Sequence, residues 1–292
     1  MPSLSSAAAA VLALFLLAAC AAEEEEYVEY PVERIYNEAM NALQEGEYVL
    51  AAKKFDEVER QHPYSTWATK AQLMAAYSHY QNNDFDDAIV ALDRFIQLHP
   101  SNKDAAYAHY LKGLSYYEQI SDVTRDQKMT DLARKTLSTL VARYPGSKYS
   151  RDAKVKLDLT YDHLAGKEME IGRYYLKQSH YLAAINRFKA VIADYQTTTH
   201  TPEALHRLVE AYWALGIRDE ASKVAAVLGH NFPGSEWYID SYQMVEGKLI
   251  RPREDDPWYK FWGSEEQAAD RPAPPSPAGR PQEEEEPWYK FW

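Results

Sequence analysis

The sequence predicts an all-α fold of about five stacked helix pairs, some ten helices, ahead of a disordered carboxy-terminal tail. Three observations lead there. Glycine is scarce, 11 in 292 residues, which disfavours an all-β chain with its glycine-dependent turns. One phrase of small, bulky and turn-forming residues recurs five times between residues 31 and 248. The tail after it is a different material, holding 8 of the 15 prolines and 4 of the 7 tryptophans from Lys248 onward.

The first element is an address. Ala7 to Ala19 is thirteen residues without a charge. That is shorter than the roughly 20 residues a spanning helix needs and suits the apolar core of a secretory signal. It ends in Leu17-Ala18-Ala19-Cys20, which resembles the bacterial lipobox. The resemblance implies cleavage before Cys20, so residues 1–19 are a signal peptide, with a diacylglyceryl group on the Cys20 thiol and an acylated new amino terminus. Several acyl chains anchor firmly where one is marginal. MPSLSSAAAA lacks the Lys or Arg usual in such signals, and a plain cleaved signal is the other reading. Ala21 stands where an Asp would retain an enteric-type lipoprotein in the inner membrane, which points to the outer membrane. Residues 20–30 then form a lipidated tether, with Glu23–Glu26 hydrated and mutually repelling. Cys20 is the single cysteine, so no intramolecular disulfide staples the fold.

Residues 31–248 carry the recurring phrase: a small residue in a first helix, a turn, an aromatic, an alanine three on, a bulky residue four further, then an aromatic or His before Pro. The first copy runs Ala39, Gly46, Tyr48, Ala51, Phe55, His62-Pro63, and the second Ala76, Asn83, Phe85, Ala88, Leu92, His99-Pro100. The third has Gly113, Ala133, Leu137, Tyr144-Pro145. The fourth has Gly172, Tyr181, Ala184, Phe188, Tyr195-Gln196, its proline lost. The fifth has Val209, Gly216, Ala221, Ala225, Phe232-Pro233. This resembles the tetratricopeptide repeat, a helix-turn-helix unit of about 34 residues. Small residues let two helices cross closely, bulky ones fill the gap to the next unit, and Pro ends the second helix. No unit buries its own apolar face, so neighbours stack into a superhelix. Two insertions stand out. EQISDVTRDQKMT, between Tyr117 and Asp131, has no helical period and reads as a loop. The stretch from Pro145 to Gly172 reads as one long helix with Leu157, Tyr161 and Leu164 on a face.

The net charge of −12 excludes nucleic acid, whose phosphates attract basic faces. No metal site is expected: there is no His-Glu-x-x-His. There is also no phosphate loop and no Gly-x-Ser-x-Gly elbow, so no catalytic residue and no enzyme are expected. His62 and His99 occupy equivalent repeat positions, which favours packing over ligation. The sequence asks for no cofactor beyond the covalent lipid on Cys20. First helices of such repeats line the concave side. Tyr36, Met40 and Leu43 share a face in the first, Leu73, Tyr77 and Tyr80 in the second, Tyr107, Tyr110, Leu114 and Tyr117 in the third. They predict a tyrosine-rich groove for extended peptides, or else a buried packing stripe.

Residues 249–292 are too rich in proline and acid to fold by themselves. Within them Pro-Trp-Tyr-Lys-Phe-Trp occurs twice, as Trp258, Tyr259, Phe261, Trp262 and as Trp288, Tyr289, Phe291, Trp292. The doubled motif reads as a docking peptide for a two-site partner, as a self-ligand for the groove, or as a duplication without consequence.

Lipobox, five degenerate repeats, a loop in the third and an added helix together resemble the BamD family of outer-membrane β-barrel assembly lipoproteins, over residues 20 to about 240. The resemblance implies a scaffold on the periplasmic face of the outer membrane. It implies a BamA-like insertase, with accessory lipoproteins of the same complex, as partners, and unfolded outer-membrane proteins whose aromatic signals enter the groove. It places the family's insertase-contacting pair at Asn186-Arg187, just before Phe188. The competing reading is a repeat-scaffold lipoprotein for cell-wall synthesis or division. The regulatory part of an envelope hydrolase is a third, disfavoured by the missing catalytic motifs.

Overall fold

The computed structural model describes residues 29–247, and every regular element among them is a helix. Helices α1 (Val32–Gln44) and α2 (Tyr48–Gln61) form the first pair, α3 (Thr66–Gln81) and α4 (Phe85–Leu98) the second, α5 (Ala105–Tyr117) and α6 (Lys128–Arg143) the third. The 30-residue α7 (Lys148–Lys177) pairs with α8 (Tyr181–Asp194), and α9 (Thr201–Ala214) with α10 (Arg218–Asn231). An eleventh described helix, α11 (Glu236–Glu246), follows. The chain's first compact unit closes at Ser241; of its second, residues 242–247 are described. Cys20 and both copies of the aromatic tail motif lie outside the described residues.

Each helix from α1 to α9 packs on the next. First helices also touch one another, α1 with α3, α3 with α5, α5 with α7 and α7 with α9, whereas the described second helices do not. The first helices therefore form the inner layer. The recurring residues explain the spacing. Ala39, Ala76, Ala51, Ala88, Ala133, Ala184 and Ala221 are fully buried, and Phe55, Leu92, Leu137 and Phe188 fill the gaps beside them. Burying each of these bulky side chains contributes about 1.5–3 kcal/mol.

The turns inside the pairs share a left-handed residue. Gly46, Asn83, Ser179 and Gly216 have φ of 81°, 63°, 60° and 77°, which lets the chain reverse after the last helical turn. The third pair instead uses residues 118–127. This loop is held: Lys167 Nζ donates to the Thr124 carbonyl at 2.8 Å, and Gln127 Oε1 meets His163 Nδ1 at 2.8 Å. It is shorter than the sequence suggests, because Lys128, Met129 and Thr130 already belong to α6.

Second helices end alike. His62, His99, Tyr144 and Phe232 all leave the helical region, at φ near −130° and ψ near 56°. The following proline enforces this. Tyr195 has no proline after it yet takes φ −133° and ψ 39°. There the hydroxyls of Thr198 and Thr201 donate to its carbonyl at 2.8 and 3.1 Å. Ser65 and Ser147 cap the helices that follow, accepting from Ala68 N and Ser150 N. The long α7 serves two pairs. Its first half buries Ala153 and Leu157 against Leu137 and Leu140, and its second half crosses α8 at Gly172.

Candidate functional site

The predicted tyrosines sit at the seams between first helices, and the seams differ in what they leave open. Tyr36 of α1 packs edge-on to Phe55 at 5.4 Å and Trp67 of α3 at 4.8 Å between ring centroids. Burial raises its pKa above the ordinary tyrosine value. Tyr107 is buried against Tyr149 of α7 at 5.1 Å, so it is a packing residue and presents no groove surface. The reason is the early entry of α7, whose first turn covers the start of α5. Tyr110 stacks on the same Tyr149 at 5.4 Å, and its hydroxyl donates to Asp152 Oδ2 at 2.5 Å. The packing-stripe reading thus holds at Tyr107 and in part at Tyr36 and Tyr110.

The remaining three stay half-exposed and close together. Gln81 donates to the Tyr77 hydroxyl. Tyr80 lies edge-on to Phe85 at 5.7 Å. Its pKa is pushed up to about 12, first by burial and then by the Glu118 and Tyr77 beside it. Tyr117, one residue before Glu118, carries Lys156 of α7 over its ring at 5.6 Å. These groups line the α3–α5–α7 stretch of the inner layer.

Next to Tyr117 the wall opens into a cleft of about 480 Å³, lined by Glu118, Ile120, Val123, Leu159, Asp162, His163 and His200. Leu159 is 53% exposed and Val155, one turn earlier, 59%. The sequence reading missed this second apolar stripe of α7. Its signal was there, since Val155, Leu159 and Asp162 share a face distinct from that of Leu157, Tyr161 and Leu164. Apolar floor, tyrosine edges and the carboxylates of Glu118 and Asp162 make an open surface able to hold an extended segment with apolar and polar groups in alternation.

Asn186 and Arg187 sit on α8, apart from this wall. Asn186 is exposed. Arg187 Nη1 reaches Glu168 Oε2 of α7 at 3.0 Å, with 43% of its side chain exposed against 22% for Glu168. They border a shallow cleft of about 240 Å³ with Tyr175, Ala183 and Ala190. The guanidinium is held in place and still accessible, a geometry suited to gripping a partner's carboxylate.

Several histidines are tied to polar neighbours within the fold. His62 Nε2 meets the Tyr30 carbonyl at 2.8 Å and His99 Nε2 meets Gln72 Oε1 at 3.0 Å. His206 is buried, meets Ser241 Oγ at 2.8 Å and lies against Trp237. Among the described residues, His79, Asp84 and Asp87 form the group whose ligand atoms come within 4.8 Å of one another. Asp84 there already accepts from Asn82 Nδ2 at 2.6 Å.

Residues 28–228 match the family model described as "Outer membrane lipoprotein". The "Outer membrane protein assembly factor BamD" of Caulobacter vibrioides is 52% identical over 226 residues, 77% of this chain and 74% of that protein. The proteins of the same name from Rickettsia prowazekii and Neisseria meningitidis are 48% and 34% identical, over 74% and 80% of this chain and 86% and 88% of their own lengths. Among solved structures, a thermophilic TPR protein of Thermus thermophilus overlaps 74% of this chain and 100% of its own, at 16% identity and a TM-score of 0.36.

Proposed function

The chain belongs to the BamD family of outer membrane protein assembly factors, and from that premise we propose that it acts without catalysis, as a receptor and holder of polypeptide. The inner wall at Tyr77, Tyr80, Tyr117 and Leu159 receives the aromatic signal of an unfolded outer-membrane protein. The α8 surface at Asn186 and Arg187 holds the periplasmic domains of a BamA-like insertase. Acyl chains on Cys20 keep both at the periplasmic face of the outer membrane. Binding of this kind needs only complementary surface, and a few anchoring contacts carry most of its energy.

One observation carries the reading: apolar side chains stand open on the inner layer, beside half-exposed tyrosines, in a chain whose other apolar markers are buried. Leu159 is 53% exposed and Val155, one turn earlier on α7, 59%. Leu159 lines the cleft with Ile120 and Val123, so these apolar groups are gathered in one groove and not scattered singly over the surface. The test is fluorescence anisotropy with a labelled carboxy-terminal peptide of a barrel protein. Leu159→Asp should weaken binding by roughly tenfold while leaving the helical circular dichroism intact. Equal affinity for the variant would remove the inner wall from the binding event.

A further inference from the structure

The first three repeats sort their charges onto two opposite edges, and the amino-terminal tether enters at the basic one. The Tyr30 backbone N–H donates to Gln61 Oε1 at 2.9 Å, and its carbonyl meets His62 Nε2. The chain therefore joins the fold against the loop between α2 and α3. In an antiparallel series the α2–α3, α4–α5 and α6–α7 loops share that edge, and the α1–α2, α3–α4 and α5–α6 connections share the other. Asp104 shows the loops to be neighbours: it senses Lys70 and Lys103, and its charge acts on Tyr149.

On the tether edge, segments 60–66, 98–105 and 143–149 hold four cations, Arg60, Lys103, Arg143 and Lys148, against the single acid Asp104; Arg60 is paired with Glu57 one turn back, which leaves Lys103, Arg143 and Lys148 to set the sign of the edge. Burial pushes the Asp104 carboxyl up, and the neighbouring Lys103 and Lys70 pull it back down. On the far edge, segments 44–48, 82–87 and 117–128 hold eight acids and two cations. The tether edge also carries exposed apolar surface. Tyr64 is 101% exposed at the tip of its loop and Leu98 is 57% exposed. A chain of net charge −12 has thus gathered basic and aromatic groups at the place where its tether leaves.

We infer that this edge lies flat against an anionic phospholipid surface, with Tyr64 at headgroup depth and Lys103, Arg143 and Lys148 above the phosphates. The inference rests on the lipid anchor at Cys20. Ten residue steps lead from Cys20 to Tyr30, a reach of at most about 35 Å, so the anchored edge cannot drift far from the bilayer. Basic side chains are drawn to anionic headgroups and tyrosine prefers the interface, whereas the acidic far edge is repelled. Together these fix which edge faces the lipid and turn the inner wall sideways, open to the periplasm.

The test uses the full acylated protein in vesicles of three parts phosphatidylethanolamine to one part phosphatidylglycerol. The thiol of Cys20 is consumed by its lipid, so Tyr64→Cys offers one site for a nitroxide, and Glu45→Cys labels the far edge as a control. Collisions with a water-soluble nickel chelate should fall roughly threefold at position 64 on vesicle insertion and stay unchanged at 45. Mass spectrometry of the amino-terminal peptide, from the same sample, reads acylation separately. An acylated protein whose label at 64 stays fully aqueous overturns the inference alone, as would follow if Glu23–Glu26 of the tether covered the cations. A chain without acyl groups overturns the anchor and the inference with it.

Discussion

Gly172 of α7 faces the ring of Phe188 of α8 so closely that a β-carbon there would stand 2.9 Å from Cδ1 and Cζ and nearer still to Cε1. Gly113 and Leu137 repeat the relationship one pair earlier, with Leu137 Cγ at 2.9 Å. Phe188 is fully buried and cannot retreat. Gly172→Ala should therefore destabilise. Overpacking costs about 1–3 kcal/mol, and the gain in helix propensity returns at most about 1. Thermal melts should show a lower midpoint, and Phe188→Leu should recover part of it in the double variant. An additive double variant would mean the two residues do not press on each other.

Ser179 carries the cost of a turn that glycine makes freely elsewhere. Its φ of 60° matches Gly46 and Gly216, yet it has a β-carbon. Relief of left-handed strain is worth about 1–2 kcal/mol, against about 0.4–1 lost to a more flexible unfolded chain. Ser179→Gly should gain on the order of 0.5–1 kcal/mol, raising the melting midpoint by roughly 1–4 °C. Ser179→Ala keeps the strain and should show no gain; a gain in alanine equal to that in glycine would rule out the backbone as the cause.

Much of this was legible in the sequence because the repeat is written in residue size. Ala51, Ala88, Ala133 and Phe55, Leu92, Leu137 announce the crossings by their spacing, and all are buried. The long helix after Pro145 was legible from its period. What was not legible depended on where the non-standard α7 lands. Tyr107 stands three residues before Tyr110 as Tyr77 stands three before Tyr80, yet it is buried against Tyr149. Leu159 shares a helix face with Val155, which the sequence shows, but only the loop at Val123 and the α8–α9 turn at His200 make a cleft beside it. Ser179 hides its left-handed backbone because serine does not advertise one.

Arg187 offers a separable test of the partner surface. Its pair with Glu168 spans two helices at 3.0 Å but is substantially exposed, so its loss should cost under about 1 kcal/mol in stability. Arg187→Ala should reduce co-purification of a BamA-like insertase roughly tenfold while the melting midpoint stays near that of the parent. Glu168→Gln keeps the guanidinium and should keep the partner. Full recovery with Arg187→Ala, or equal loss with Glu168→Gln, would place the contact elsewhere.

His109 should make the fold sensitive to mild acid. It is buried in α5, lies 5.7 Å from the Tyr144 ring, and its Nε2 has no hydrogen-bond partner. Burial lowers its pKa, and Arg143 and Lys112 lower it further, against the opposing pull of Asp93. Below the ordinary histidine value of about 6.5 the unfolded chain binds a proton that the folded chain refuses, so stability falls as pH drops through that point. The loss ends once the pH is below the lowered folded value, and above neutrality the group contributes nothing. His109→Phe keeps an aromatic ring in the space and removes the proton. Its melting midpoint should fall less than the parent's between pH 7.5 and 5. Parallel pH profiles for the two proteins would mean that His109 is protonated as easily in the fold as out of it.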